Sequence, residues 1–468
     1  MSESALYDCM NGSANHKLHS PENFVAAAVE MFGADSVLTG DTIVAYESDW
    51  TGRWCGSARA VVRPRNAEDT AALVRLARQH GVVLIARGGG TGLVGGAVPS
   101  REASDVMVCT SRMRQLDIDS VAGTAVVGAG VTLTELNTAA LPYGLRFAVD
   151  IGSRDSATIG GMIATNAGGL RMLRWGDTAA QLLGVEVVTG HADVLSHMRG
   201  LTKDNVGLRW HQLLPGSEGT IGVICKAVVR LVPVPSAVAW AWFPVADAKA
   251  AVTVASYARR QPHTSAVEYV HPDGITLVTA LTGRTPPTNG PAVIVEASSD
   301  DPVAALVALA EMLSAEDAVI ADGPSGRELW AWRDRHTEAI ATAGIPAKCD
   351  VAVPLRNWAA FHDAVPAALA EIDPSLYPIR FGHIADGNVH VNILRRDRCA
   401  PQPEADDAIW RLATSFGGTI SAEHGIGIAK APWLSLVRTP AELVAIERLR
   451  RSWDPENILS PRTAHLPD

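Results

Sequence analysis

Short runs of β-branched residues alternate with longer segments of helical period along most of the chain, which predicts a mixed α+β architecture. In the first half, residues 70–80 have the apolar spacing of a helix, and residues 82–86 form an apolar run typical of a buried strand. Pro233 and Pro235 interrupt this pattern, because proline cannot donate to a strand ladder and stiffens a connector. The sequence therefore predicts a domain boundary near residue 235.

Beyond this boundary strands and helices alternate again, with less glycine. The strand candidates are residues 238–243, 266–270, 292–296, 318–321, 349–353, 378–383 and 389–394. The helix candidates are residues 246–261, 302–314, 327–342, 356–371 and 405–416, followed by a tail helix over 441–453. This order predicts an α+β domain in which one sheet carries helices on one face.

Composition narrows the class of protein. A chain of 468 residues needs two or three hydrophobic cores, and its 47% hydrophobic and 19% charged residues are typical of an ordered protein. The formal net charge of -10 argues against nucleic acid or an anionic membrane surface as a partner. The six cysteines are scattered without a C-x-x-C pair, which indicates reduced thiols. Because neither a signal peptide nor a membrane span is predicted, we expect a cytoplasmic protein.

Glycine is concentrated in three clusters of the first half. They cover residues 87–96, 158–169 and 215–222. Gly90, Gly92 and Gly95 satisfy the G-x-G-x-x-G pattern, but no helical period follows them, which argues against a Rossmann nicotinamide site. Successive glycines can still turn backbone N–H groups inward as an anion nest, and they allow close approach of a ligand. Any one cluster could be a structural turn, whereas three in one domain indicate a large nucleotide cofactor.

Two histidines flank a turn signal in the second half. Asp386-Gly387 lies between two apolar, β-branched runs, a pattern that predicts a hairpin. A two-residue loop at this point would set His383 directly opposite His390, with Cβ atoms roughly 4.5–5.5 Å apart. Two imidazoles at that distance can share one divalent metal ion. The alternative interpretation is that they pack and hydrogen-bond on a strand face.

Further along the chain, Glu423 and His424 offer a carboxylate and a third imidazole. Two histidines and one glutamate make a three-ligand metal site with an open position for substrate. By ligand type we expect Zn²⁺, although Mn²⁺ or Co²⁺ would also fit. The same residues could activate water in a metallohydrolase, but that function would leave the three glycine clusters without a role. A non-catalytic, cofactor-binding subunit of a larger complex is a second alternative, against which the complete set of His383, His390, Glu423 and His424 argues.

Several long motifs occur in one order. They are Arg63-Pro-Arg, Arg87-Gly-Gly-Gly-Thr-Gly, Gly160-Gly-Met-Ile-Ala-Thr-Asn-Ala-Gly-Gly169, Pro215-Gly-Ser-Glu-Gly-Thr-Ile-Gly222, Gly382-His-Ile-Ala-Asp-Gly-Asn-Val-His390 and Ser421-Ala-Glu-His-Gly-Ile-Gly427. From about Val44 to the end, the chain resembles the FAD-linked D-2-hydroxyacid dehydrogenases of the vanillyl-alcohol-oxidase superfamily. The resemblance implies an α+β fold with a PCMH-type FAD-binding domain of two α+β subdomains over 21–235. It also implies an α+β cap domain with the substrate site over 236–425. A C-terminal helical tail over 426–468 then returns to the FAD domain, and residues 1–20 are an extension.

The resemblance also implies a set of FAD-binding residues. They are Arg87, Gly88, Gly89, Gly90, Thr91 and Gly92 in the first cluster; Gly160, Gly161, Thr165, Asn166, Gly168 and Gly169 in the second; and Glu218, Gly219, Ile221, Gly222 and Ile224 in the third. No His or Cys occupies residues 87–92, where related oxidases attach the flavin, so we expect non-covalent FAD. Family tails usually carry Asn-Pro where this chain has Ser460-Pro461, which puts a tail contact with the flavin in doubt.

The family further suggests how a 2-hydroxy acid is bound. In its 2-hydroxyglutarate members, residues that match Arg333, Thr337 and Lys348 hold the distal carboxylate. Residues that match Asn392 and His424 contact the reacting end, and we expect His424 to be the general base. The expected reaction oxidises D-2-hydroxyglutarate to 2-oxoglutarate, with D-lactate, glycolate or another 2-hydroxy acid as the alternative substrate. The sequence does not distinguish between an electron-transfer flavoprotein and a quinone as the electron acceptor. It also leaves open whether the chain forms a homodimer.

Overall fold

The computed structural model describes residues 23–463. In the first half of the chain, the helices are α1 (Phe24–Phe32), α2 (Ala67–His80), α3 (Leu133–Ala140), α4 (Ile159–Thr165), α5 (Met172–Trp175) and α6 (Thr178–Gln181). The strands are β1 (Val37–Leu38), β2 (Ala60–Val62), β3 (Leu84–Arg87), β4 (Val106–Cys109), β5 (Leu116–Asp119), β6 (Thr124–Gly128), β7 (Leu145–Phe147), β8 (Leu182–Val188), β9 (Val194–His197) and β10 (Val223–Pro233).

These elements form two α+β units, as the sequence predicted. The smaller sheet has the order β1-β2-β4-β3, in which β2, β4 and β3 are parallel. The larger sheet is antiparallel, with the order β5-β6-β10-β8-β9 and with β7 also paired to β10. Helix α2 confirms the predicted helix: the Asn66 side chain accepts a hydrogen bond from the Asp69 amide at its start, and Gly81 ends it with a φ of 62°.

The second half contains a seven-stranded antiparallel sheet with the order β14-β11-β13-β12-β16-β17-β15. Its strands are β11 (Ala237–Pro244), β12 (Thr264–Val270), β13 (Ala292–Ser299), β14 (Val319–Asp322), β15 (Ala347–Ala352), β16 (Leu376–Gly382) and β17 (Asn388–Arg395). The helices are α7 (Ala248–Ala258), α8 (Pro272–Thr282), α9 (Pro302–Met312), α10 (Gly323–Asp334), α11 (His336–Ala343), α12 (Leu355–Ile372), α13 (Pro403–Ser415) and α14 (Pro440–Trp453).

Helices cover both faces of this sheet, so the prediction of helices on one face was wrong. One core contains residues of α7, α9, α12 and α13, whereas α8, α10 and α11 contribute to a second core on the opposite face. The sequence pattern missed α8 because its first residues, Pro272-Asp-Gly, are typical of a turn. Proline is nevertheless well suited to the first turn of a helix, since no intrahelical hydrogen bond is lost there.

The C-terminal tail packs against the first half of the chain. Ile458 and Leu459 are buried in the core of the first half of the chain. The Leu84 amide donates to the Ile458 carbonyl at 2.8 Å, and the Ser460 amide donates to the Leu84 carbonyl at 2.9 Å. The tail therefore runs beside β3. Among the described residues, none of the helices is both long and apolar enough to cross a membrane.

Candidate active site

Strands β16 and β17 bring the two motif histidines together, although the predicted register was wrong. Phe381, rather than His383, lies opposite His390. The chain between the strands forms a short 3-10 turn over Ile384–Asp386, which ends at Gly387 with a φ of 87°. This shift by two residues keeps both histidines on one face of the sheet, because side chains alternate with a period of two. Their ring centroids are 5.3 Å apart.

His383, His390 and Glu423 form a compact cluster of metal-ligating side chains. Each offers one ligand atom, and these atoms all lie within 4.8 Å of one another. His383 Nε2 lies 3.4 Å from Glu423 Oε1. Two imidazole nitrogens and one carboxylate oxygen suit a catalytic Zn²⁺ site, which keeps a fourth position open. The three side chains therefore fit the metal that the sequence suggested.

Asp350 holds this cluster from behind, and the sequence analysis missed it. Its carboxylate is fully buried, and Oδ2 accepts hydrogen bonds from the amides of Ala422, Glu423 and His424 at 3.2, 2.7 and 3.0 Å. Its Oδ1 lies 3.4 Å from Nδ1 of His390. One carboxylate thus fixes the backbone of two site residues and orients the ring of a third.

Glu268 on β12 is the second buried carboxylate that the sequence analysis missed. Its Oε1 is 2.5 Å from His383 Nδ1, and its Oε2 accepts a hydrogen bond from Arg333 Nε at 2.8 Å. Burial alone would raise the pKa of Glu268, but the charges of His383 and Arg333 lower it to about 2. Glu268 is therefore a carboxylate throughout the physiological pH range.

The surrounding carboxylates give the cluster an electrostatic preference for cations. Burial opposes the charged form of His383, but Glu268 and Glu423 outweigh burial and raise its pKa well above the usual range. The same negative surroundings favour a bound metal cation. Burial lowers the pKa of His424, which keeps its imidazole neutral near pH 7. A neutral imidazole beside the cluster can accept a proton.

Arg333 and Thr337 do not share one helix, contrary to the prediction. Arg333 lies in α10 and Thr337 in α11, with a break at Arg335. The ring of His336 bonds through Nδ1 to the Trp332 carbonyl at 2.7 Å, which is the acceptor that the residue 336 amide would use in a continuous helix. Arg333 reaches the cluster, with Nη2 at 3.3 Å from His383 Nε2, whereas Thr337 is exposed.

Lys348 and Asn392 face each other across β15 and β17. Asn392 is buried and lies two residues after His390, hence on the same face of the sheet. The Lys348 ammonium lies 5.3 Å from the ring centre of Trp50, a residue of the FAD-binding half. Burial lowers the pKa of Lys348. Lys348 and Asn392 therefore lie on the same face of the sheet as His390.

The first two glycine clusters pack against each other, and the second reaches the metal cluster. A Cβ atom on Gly88 would lie 2.4 Å from Thr158 Oγ1, and one on Gly89 would lie 1.8 Å from the Ser156 carbonyl oxygen. On Gly92 it would meet nothing within 4 Å. On Gly168 it would lie 3.1 Å from Glu423 Oε1. The first two glycine loops therefore pack closely against each other, leave open space at Gly92, and reach Glu423 at Gly168.

Two charged residues that were predicted to bind the cofactor form hydrogen bonds with backbone groups of the protein. The Arg87 guanidinium is buried and donates to the carbonyls of Tyr46 and Ala97 at 2.8 and 3.2 Å. The Glu218 carboxylate accepts hydrogen bonds from the amides of Ile426 and Gly427 at 2.7 and 2.8 Å. Both side chains thus hold the loops in place.

The remaining predicted cofactor residues lie in the same three glycine-rich segments, in helix α4, or at the start of β10. Thr165 Oγ1 donates to the Gly161 carbonyl, and Asn166 ends α4 in the left-handed conformation. Ile224 is buried in the core of the FAD-binding half. The others in these segments are Gly90, Thr91, Gly160, Gly169, Gly219, Ile221 and Gly222. Direct contact of any of these residues with a cofactor stays a prediction.

Two buried hydroxyls beside the third loop suit a polar cofactor. Ser217 Oγ and Ser460 Oγ have no hydrogen-bond partner among the described residues. Ser460 Oγ lies 3.3 Å from the position of a Cβ on Gly219. Buried hydroxyls normally have partners, and a flavin offers ring oxygens and nitrogens and phosphate oxygens. These orphaned groups and the open glycine loops fit FAD.

Comparisons with known proteins agree with this geometry. Residues 58–196 match the FAD binding domain family, and residues 234–464 match the C-terminal domain of FAD linked oxidases. A D-2-hydroxyglutarate dehydrogenase of Xanthomonas citri is 33% identical over 434 residues, which cover 89% of this chain and 91% of the relative. A D-lactate dehydrogenase of Archaeoglobus fulgidus is 32% identical over 405 residues, which cover 86% of this chain and 90% of the relative.

The fold is shared with more distant flavoproteins. The 4-ethylphenol oxidase of Gulosibacter chungangensis aligns with a TM-score of 0.75 at 17% identity, over 97% of this chain and 98% of the other. Together with the domain matches and the relatives, this fold identifies a PCMH-type flavoprotein. The chain belongs to the FAD-linked D-2-hydroxyacid dehydrogenases of the vanillyl-alcohol-oxidase superfamily.

Proposed function

We propose that the chain oxidises D-2-hydroxyglutarate to 2-oxoglutarate with the help of a divalent metal ion. The observation that carries this proposal is the contact between the two halves of the site. Gly168 of the second glycine loop abuts the carboxylate of Glu423, and His424 follows directly. A flavin in the glycine loops, a metal on the cluster and a neutral imidazole would then surround one small volume. That arrangement suits oxidation of an alcohol that lies next to a carboxylate.

The residues of the chain have separate tasks in this reaction. His383, His390 and Glu423 would hold the cation, and His424 takes the proton of the substrate hydroxyl at an imidazole nitrogen. When bound, the cation lowers the pKa of that hydroxyl and FAD accepts the hydride from C2. Asp350 keeps His424 in place through its backbone amide. The chain thus supplies the base and fixes its distance from the metal ligands.

The preference for a dicarboxylate depends on Lys348, with Arg333 as a second cation. Lys348 lies on the sheet face of the metal cluster, two residues along β15 from Asp350. A partly buried ammonium is well placed to bind a carboxylate that projects away from the metal. D-Lactate has no second carboxylate and would leave this cation unused. A D-lactate dehydrogenase function remains the second candidate, because that is the name of one relative.

The proposal is tested by flavin bleaching under anaerobic conditions, which needs no electron acceptor. D-2-Hydroxyglutarate, D-lactate and their L-enantiomers are mixed with the purified flavoprotein, with and without a chelator. His383→Ala should lose metal and bleaching but keep the flavin absorbance. His191→Ala, an exposed histidine outside the site, is the matched control. Undiminished bleaching after complete metal removal would refute the metal part of the proposal.

The same assay tests the substrate. Lys348→Ala should raise the concentration of D-2-hydroxyglutarate needed for half-maximal bleaching by about 10- to 100-fold, since a charge-assisted bond contributes about 1.5–3 kcal/mol. The value for D-lactate should change little. Lys226→Ala, which removes a lysine paired with Glu186 outside the site, is the control. Equal effects of Lys348→Ala on both acids would refute the dicarboxylate preference.

A further inference from the structure

Glu268 is held at the centre of the seven-stranded sheet by one metal ligand and one substrate residue. The pairing of Tyr269 with Gly382 places Glu268 across from His383, at the end of β16. The carboxylate has no solvent exposure. A buried carboxylate is costly unless its oxygens are bonded to cationic or donating groups. Here each oxygen has one such partner, His383 through Oε1 and Arg333 through Oε2.

The first contact determines which nitrogen of His383 can bind a metal. Nδ1–H donates to Glu268, so Nε2 is the nitrogen that faces the cluster, 3.4 Å from Glu423 Oε1. Metal-binding histidines generally have a carboxylate or carbonyl on the second nitrogen, which sets the tautomer and the ring orientation. Without Glu268 the proton could move to Nε2 and the ring could rotate.

The second contact determines where Arg333 lies. Its Nε donates to Glu268, and its Nη2 is 3.3 Å from His383 Nε2. The guanidinium is therefore held against the same imidazole that carries the metal-facing nitrogen. One carboxylate fixes the distance between a metal ligand and a cation that would face the substrate.

We propose that Glu268 is a positioning residue that fixes His383 as a metal ligand and Arg333 as a substrate contact at the same time. This inference depends on the metal site of the proposed function. Loss of Glu268 would weaken metal binding and substrate binding together, while the glycine loops that hold FAD keep their contacts. A residue that only stabilised the sheet would not affect metal affinity selectively.

The sheet contains a matched control in Glu296. It lies on the neighbouring strand β13, is 1% exposed, and its carboxylate is paired with Arg171 through Nε and Nη2 at 2.8 and 3.0 Å. Trp240 Nε1 donates to it as well, at 3.1 Å. Glu296 is thus as buried as Glu268 and is likewise paired with an arginine, but the partners described for its carboxylate are Arg171 and Trp240 rather than a histidine. Glu296→Gln changes the same chemical group without touching a metal ligand.

The experiment measures zinc affinity without substrate. Full-length protein loaded with FAD and zinc is titrated with a chromophoric chelator, and zinc release is followed for the unmodified protein, Glu268→Gln and Glu296→Gln. Glu268→Gln should bind zinc about 10- to 100-fold more weakly, the usual effect of removing a carboxylate behind a metal-bound histidine. Glu296→Gln should bind zinc like the unmodified protein. Flavin absorbance and the thermal midpoint report folding.

Two results would overturn the inference. They are unchanged zinc affinity in Glu268→Gln, and an equal loss in both glutamine variants, which would indicate a general effect of the sheet. If Glu268→Gln does not fold, Glu268→Asp replaces it, since the shorter side chain keeps the charge but withdraws from His383, and the same outcomes apply. No zinc binding by the unmodified protein would instead refute the metal part of the proposed function, and this inference with it.

Discussion

His336 should make the stability of the protein depend on pH. Its ring is wholly buried at the start of α11, with Nδ1 bonded to the Trp332 carbonyl and Nε2 without a partner among the described residues. Burial lowers its pKa to about 4, although the bond to Trp332 opposes this shift. In the unfolded chain the same ring has a pKa of about 6.5. The native state therefore contains a neutral histidine at pH values where the unfolded chain takes up a proton.

The size and sign of the effect follow from linkage. Above pH 6.5 the ring is neutral in both states and favours neither. As the pH falls from 6.5 towards 4, the unfolded chain binds a proton that the native state does not, and stability is lost. The pKa difference of about 2.5 corresponds to about 3 kcal/mol when the loss is complete. About 2 kcal/mol of this is already lost at pH 5.

The test compares His336→Phe with the unmodified protein by urea unfolding at pH 7.5, 6.5, 5.5 and 5, followed by far-ultraviolet circular dichroism. Phenylalanine keeps the flat ring but cannot titrate, and it loses one hydrogen bond, worth about 1 kcal/mol at every pH. The stability difference between the two proteins should therefore shift by about 2 kcal/mol in favour of the variant between pH 7.5 and 5. A difference that stays constant across this range would refute the reasoning.

Two further predictions concern the site. Asp350→Asn should weaken zinc binding, measured by chelator titration, about 10- to 100-fold. The amide NH₂ would face His390 and favour the tautomer that carries its proton on the metal-facing nitrogen. Unchanged zinc affinity would contradict this prediction. Gly89→Ala should lower the thermal midpoint, since its Cβ would lie 1.8 Å from the Ser156 carbonyl oxygen. Gly92→Ala should leave the thermal midpoint of the flavin-free protein unchanged but weaken FAD binding, since its Cβ would meet nothing within 4 Å. Equal effects of Gly89→Ala and Gly92→Ala on the thermal midpoint would contradict the prediction of open space at Gly92.

The sequence predicted that His383, His390 and Glu423 come together, but it did not predict their geometry. The ligand types at His383, His390 and Glu423 are visible in the motifs, whereas the strand register depends on the turn between the strands. Asp-Gly suggested a two-residue loop, but the structure has a 3-10 turn that ends at Gly387. A Cβ on Gly387 would lie 2.2 Å from the Val353 carbonyl oxygen. The glycine is therefore required by a neighbouring segment, which no local pattern shows.

The two supporting carboxylates, Glu268 and Asp350, do have a signal in the sequence. Glu268 lies in the apolar strand Ala-Val-Glu-Tyr-Val, and Asp350 lies in Cys-Asp-Val-Ala-Val. An acidic residue in a strand that is buried on both faces needs a cationic or donating partner, so it marks a site. Their particular partners could not be predicted, because they come from distant parts of the chain. The break between Arg333 and Thr337 likewise depends on the His336 side chain, which helix periodicity does not describe.

The segment that contains Glu423 and His424 is fixed by two carboxylates that lie far from it in the sequence. Glu218 binds its amides across 208 positions and Asp350 across up to 74. Contacts over such separations close large loops and form late, after local structure has appeared. Glu423 and His424 should therefore take their positions in one of the last folding steps. A nascent or partly folded chain can have its glycine loops and both strand histidines without having an active site.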